Sequence, residues 1–225
     1  IKELARRRNI TKEQVIDKLK ENYDGYHFTR FSPDIFNPYS LLNCFAENKF
    51  GSYWFTSGTP TYLINMMRKY QVVPTDVITR VEADASEFDA PTENMPTIMP
   101  LLYQSGYITI KEYHEDYNYY VLDVPNKEVK MGLTKALIPS YVTQNTLATT
   151  NTARRIAQAL DKQNMEEALT LLQTFLGTVP YCNNAHYEGH YQQMLFIIFS
   201  LLTDYQVDVE VHTPNGRVDI VLLTH

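Results

Sequence analysis

One carboxylate near the C-terminal end stands in unusual company. Asp219 lies within Val218-Asp219-Ile220-Val221-Leu222-Leu223, a run that is otherwise apolar. Burying an ionised carboxylate in such surroundings is costly unless a cation accompanies it. In an extended segment Val218, Ile220 and Leu222 share one face, and Asp219, Val221 and Leu223 share the other. That second face is apolar too, so Asp219 is expected near a covered surface. Its partner would be a metal ion, or the guanidinium of Arg217 two residues before it on the same face. The plainer reading is a surface acid on an edge strand. Glu188 is the second candidate, in the first turn of a helical segment. An acid there complements the helix dipole, or is aimed across at Asp219. Two carboxylates so placed would suit a hard divalent cation.

Rival groupings carry less. Cys182, His186 and His190 are spaced four residues apart, as zinc ligands on one helix face would be. Asn183-Asn184 between them reads as a cap, and no fourth ligand is evident. Tyr113, Tyr117, Tyr119 and Tyr120 have the rings to stack on bases. Such tyrosines more often fill a β-face, and Glu112, Glu115 and Asp116 beside them repel phosphate. The chain holds neither G-x-x-x-x-G-K-[ST] nor G-x-G-x-x-G, so no phosphate-cradling loop is present. G-x-S-x-G and H-E-x-x-H are also missing. The segment should not hydrolyse a nucleotide by itself.

The elements that would position Asp219 and Glu188 are readable. Tyr187 to Tyr205 forms the strongest helical pattern, with Tyr191, Leu195, Ile198 and Leu202 on one stripe. Gln206 to Val211 alternates strictly, as a half-buried strand does. Thr213-Pro214-Asn215-Gly216 is a hairpin turn, and Val218 to Leu223 is the returning strand. Upstream, 4–21 reads as a helix with Thr11 as an N-cap. Asn37-Pro38 is a turn leading into a short helix from Tyr39 to Phe45. Pro60 to Tyr70 is helical, and 74–99 reads as loop with short elements. Leu101-Leu102-Tyr103 closes a helix that Ser105-Gly106 stops. Strands at 107–110 and 119–122 follow, joined by His114-Glu115-Asp116: helix, glycine stop, hairpin, the order of a winged-helix unit. Met131 to Thr143, Asn151 to Leu160 and Met165 to Leu176 read as helices.

Composition bounds the reading. The chain has 225 residues, 44% of them hydrophobic and 12% aromatic, enough for a sizeable core. Twenty Lys and Arg face 26 Asp and Glu, a formal charge of −6. A chain-wide basic footprint for nucleic acid is therefore absent, while a local patch is not excluded. No apolar stretch reaches membrane-spanning length. Two cysteines far apart form no disulfide framework, which favours a reducing, cytoplasmic setting. The chain opens on Ile1 and closes just after its most apolar strand, so it is expected to be a fragment.

Residues 187–223, from Tyr187-Glu188-Gly189-His190-Tyr191 through Gly216-Arg217-Val218-Asp219, resemble the start of a PD-(D/E)xK nuclease-superfamily domain. The version they resemble stands at the C-terminus of a bacterial family of AAA-ATPase-like proteins. Tyr23-Asp24-Gly25-Tyr26, Asn37-Pro38-Tyr39-Ser40-Leu41-Leu42, Tyr53-Trp54 and Ser57-Gly58-Thr59 resemble the end of that family's ATPase-like domain. Leu101 to Val129, with Gln104-Ser105-Gly106-Tyr107 and Val124-Pro125-Asn126-Lys127-Glu128-Val129, resembles its middle region.

The resemblance implies a predominantly helical α+β protein in three pieces. They are the end of the ATPase-like domain (1–60), a winged-helix-like region (61–135) and a truncated α/β nuclease-like domain (136–225). It implies Glu188 and Asp219 as catalytic residues and ligands of Mg²⁺ or Mn²⁺, with Arg217 toward substrate. It places the (D/E)-x-K strand after His225 and the ATP site before Ile1. The full protein would be a hydrolase acting on phosphodiesters of nucleic acid, and the fragment would be inactive. The alternative is a non-catalytic regulatory or interaction module.

Overall fold

The computed structural model describes residues 1–56, 61–142, 145–178, 187–202, 205–213 and 216–224. They form α1 (Lys2–Arg8), α2 (Lys12–Tyr23), α3 (Pro38–Glu47), α4 (Thr61–Lys69), α5 (Thr75–Ile78), β1 (Val81–Ala83), α6 (Ala85–Phe88), α7 (Met99–Gln104), β2 (Thr109–His114), β3 (Tyr119–Asp123), α8 (Lys127–Tyr141), α9 (Thr146–Asp161), α10 (Met165–Gly177), α11 (Tyr187–Ser200), β4 (Tyr205–Thr213) and β5 (Gly216–Thr224). Helix outweighs strand and both sheets are antiparallel, so the class is α+β. Among the described residues no helix is long and apolar enough to cross a membrane. The chain divides into two compact units, one of residues 1–72 and 76–133, the other of 73–75 and 134–225.

In the first unit, the single helix expected over 4–21 is two. Asn9 adopts a left-handed conformation (φ 52°) and ends α1, a conformation Asn tolerates better than most residues. Thr11 then opens α2 with a capping box. Its hydroxyl accepts the Gln14 N–H at 3.2 Å while the Gln14 side chain accepts the Thr11 N–H at 2.9 Å. α3 begins where Asn37 accepts the Ser40 N–H and Pro38 takes the first helical position. Leu4, Val15, Leu19, Tyr23, Cys44 and Tyr53 form one buried cluster between these helices.

The three-stranded sheet has the order β1-β3-β2. The β2–β3 hairpin falls where the alternating tyrosine, isoleucine and valine residues predict it, though β2 begins at Thr109 rather than Tyr107. β1 was not expected. It is three residues long and owes its extended state to Val81–Ala83 pairing with Leu122–Tyr120 of β3; local sequence carries little of that signal.

Long-range hydrogen bonds join the helices to this sheet. Glu128, 4% exposed, accepts the backbone N–H groups of Tyr53 and Trp54 on one oxygen. Asn126 donates to the Asp24 carbonyl at 3.0 Å and its own oxygen accepts the Val129 N–H, starting α8. Lys111 Nζ donates to the carbonyls of Gly25 and Pro125 at 2.8 and 2.9 Å. Thr109 both accepts from and donates to the His27 backbone. The motifs around Tyr23–Tyr26, Asn37–Ser40, Tyr53-Trp54 and Pro125–Glu128 thus have a structural occupation: they satisfy buried backbone groups that no regular element pairs.

In the second unit, Asn145 and Asn164 cap α9 and α10, which pack side by side through Ala153, Ile156, Ala168 and Phe175. α11 ends at Ser200, five residues before the expected end. Met194, Phe196, Ile197 and Ile198 are all buried, so it is covered on more than one stripe. The Gln193 amide is held by two hydrogen bonds to Thr75, 3.2 Å from its backbone N–H and 2.9 Å from its hydroxyl.

Candidate functional site

β4 and β5 form an antiparallel hairpin in which Val207 faces Leu222, Asp208 faces Val221 and Val209 faces Ile220. Cross-strand partners point to the same side of a sheet. Val207, Val209, Ile220 and Leu222 therefore make one apolar side, whose Val207 is 6% exposed. Asp208, Asp219, Val221 and Leu223 lie on the opposite side.

On the first side Val207 is buried while Val218 is 41% exposed. On the other, the Asp219 side chain is 77% exposed and Leu223 44% exposed. The expectation that Asp219 sits against a covered surface is corrected here. Alternation shows which residues share a face but not which of two apolar faces the rest of the chain covers. Arg217 does accompany Asp219, as its position two residues away suggests. Its Nε lies 3.8 Å from Asp219 Oδ1, and its side chain is 56% exposed. At that separation, and in water, the attraction is weak.

Glu188 stands in the first turn of α11, as its sequence context predicts. Its side chain lies outside the described residues, and so does its expected approach to Asp219. The Cys182, His186 and His190 grouping also lies outside them. The hairpin turn at Thr213–Gly216 is described only at its flanks, where Thr213 pairs with Gly216.

Asp208 is a carboxylate that the sequence reading passed over. It is half-buried on the same side as Asp219, diagonal to it and so about 7–8 Å away between backbones. The signal was present: Asp208 is a polar member of the alternation Val207-Asp208-Val209 that marks the strand. Asp208 and Asp219 offer the oxygen donors a hard divalent cation prefers. Among the described residues, no three metal-ligating side chains converge.

Known proteins sharpen this. Residues 186–225 match the family model of the PD-(D/E)XK nuclease superfamily. The match covers α11, β4 and β5 and includes Glu188, Arg217 and Asp219. Over 214 residues, 92% of its length, the chain is 29% identical to an uncharacterized protein in the vnfD 5′ region of Azotobacter chroococcum mcd 1. It spans 40% of that protein. No solved structure matches. The likeness to the nuclease superfamily therefore rests on the C-terminal helix and hairpin, the same element pair that carries the carboxylates.

Proposed function

We propose that the chain is part of a metal-dependent phosphodiesterase acting on nucleic acid. The observation that carries the reading is the coincidence of the superfamily match with the α11–β4–β5 unit. On this reading Asp219 and Glu188 hold Mg²⁺ or Mn²⁺, the exposed position of Asp219 leaving its oxygens accessible. Such a cation, when bound, supplies charge neutralisation at phosphate and a more acidic water. On the same reading Arg217, on the same side of β5, would meet a phosphate oxygen.

The remainder of the chain fits a larger machine. The likeness of the Tyr23-to-Thr59 motifs to AAA-ATPase-like proteins supports an ATP-binding region ahead of these residues. Short helices α6 and α7, then the β2–β3 hairpin, with β1 closing a sheet of order β1-β3-β2, support the winged-helix reading of 61–135. Nucleotide-driven conformational change would then be coupled to cleavage of a nucleic acid in the cytoplasm.

A second reading has its own observation. The Asp219 side chain is largely exposed and pairs with Arg217 at 3.8 Å, which also suits a nuclease-like fold that binds without cleaving. The full-length protein decides between them. Under the first reading, Mn²⁺-dependent cleavage of a labelled duplex is abolished by Asp219→Ala, and Mn²⁺ binding by calorimetry is lost with it. Binding of the duplex without cleavage at any Mn²⁺ concentration would favour the second.

A further inference from the structure

A cleft of about 330 Å³ opens in the first unit beside the end of α1, the outer side of α2 and the start of α8. Three cations reach it: Arg8 from the last turn of α1, Lys18 from α2 and Lys127 from the first position of α8. One acid, Glu21, balances them and is already paired with Lys127 at 2.6 Å. Neither Arg8 nor Lys18 has an ion pair among the described residues. In a chain of formal charge −6, this is a local reversal of sign.

The cleft also has an apolar wall, made of Ile10 and Phe50. The Phe50 ring stacks on Tyr23 at 6.5 Å with an interplanar angle of 13°, and the Arg8 guanidinium lies 5.9 Å from its centre. Cations beside an aromatic wall select a ligand with an oxyanion at one end and a flat, weakly polar group at the other. The volume is at the small end of ligand pockets, enough for one phosphate and one ring system.

We propose that this cleft binds a nucleoside phosphate, with the phosphate held by Arg8, Lys18 and Lys127 and the base against Ile10 and Phe50. The chemistry is shared by a free mononucleotide and by the phosphorylated end of a strand. The site is built wholly from residues 8–127 and does not rest on the hairpin reading.

The test uses the 225-residue chain and four probes: inorganic phosphate, a nucleoside 5′-monophosphate, and a short oligonucleotide with and without a 5′-phosphate. Binding is read by calorimetry. Arg8→Gln and Lys18→Gln should each weaken the phosphorylated nucleotide probes by about tenfold. Glu21→Gln, which removes the opposing charge, should tighten them several-fold. Lys69→Gln, outside the cleft, should change nothing. Both variants of the cleft cations alter exposed side chains, and unchanged melting temperatures would establish that they fold. Preference for the mononucleotide identifies a free nucleotide as the ligand; preference for the 5′-phosphorylated oligonucleotide identifies a strand end. The proposal is overturned if inorganic phosphate binds as well as either, if the 5′-hydroxyl oligonucleotide equals its phosphorylated form, or if Lys69→Gln costs as much as Lys18→Gln.

Discussion

The carboxylate of Glu128 accepts the backbone N–H of Trp54 at 2.8 Å, across 74 residues of sequence, and the N–H of Tyr53 on the same oxygen. A buried carboxyl oxygen that accepts two backbone N–H groups is strongly missed when removed, because both donors lose this acceptor. Glu128→Ala should cost about 3 kcal/mol of stability, and Glu128→Gln, which keeps an acceptor oxygen, about half that. Urea unfolding of both variants measures this. A loss below about 0.5 kcal/mol for the alanine variant, the range of ordinary surface changes, would refute the role.

Gly25 lies at φ 94° with the Pro125 carbonyl where a Cβ would stand and Lys111 Nζ 2.9 Å from that point. Gly25→Ala therefore meets both backbone strain and overlap. The expected loss is about 2 kcal/mol or more, read as a lower urea midpoint. Wild-type stability in this variant would mean that the Lys111 contacts shift freely.

Burial pushes the hydroxyls of Tyr26 and Tyr53 up to about 12, and that of Tyr23 upward as well. The unfolded chain releases these protons near pH ~10, before the folded chain does. The stability they contribute is complete below pH ~10 and is lost as pH rises toward about 12. Lys111, lowered by its own burial, works the other way, since its folded form sheds its proton first. The raised phenols outnumber the one lowered amine, so the urea midpoint should fall between pH ~10 and about 12. Tyr26→Phe should flatten that fall; an unchanged pH profile in this variant would assign the effect elsewhere.

Asp219→Asn should leave the melting temperature almost unchanged, within about 0.5 kcal/mol in stability. Its carboxylate is largely in water and its ion pair is long. A large destabilisation would mean that Asp219 holds the hairpin together and is not there for a ligand.

The local elements were legible because their signals are local. Asn37-Pro38 starts α3, Thr11 starts α2, and the periodicity of 165–176 gives α10. β1 was not legible, since a three-residue strand is made by its partner. The break at Asn9 was hidden because apolar periodicity runs across it, and only the left-handed backbone ends the helix. Of the hairpin's acids Asp219 was singled out and Asp208 was passed over. Val221 and Leu223 suggested cover over Asp219, whereas its side chain is 77% exposed. The work of Asn126, Glu128 and Lys111 was beyond local reading, because each partner lies elsewhere in the chain.

The distance along the chain between Trp54 and Glu128 has a consequence for synthesis. The cluster of Leu4, Val15, Leu19 and Tyr23 can gather as soon as the first helices leave the ribosome. The N–H groups of Tyr53 and Trp54 and the carbonyls of Asp24 and Gly25 meet these side-chain partners only when Lys111, Asn126 and Glu128 have emerged as well. Contacts of such separation form late and slowly. The N-terminal portion therefore completes these native bonds only after more than seventy further residues have been made, and a stop codon anywhere in that interval would release a chain that lacks the Glu128 carboxylate its Tyr53 and Trp54 N–H groups bond.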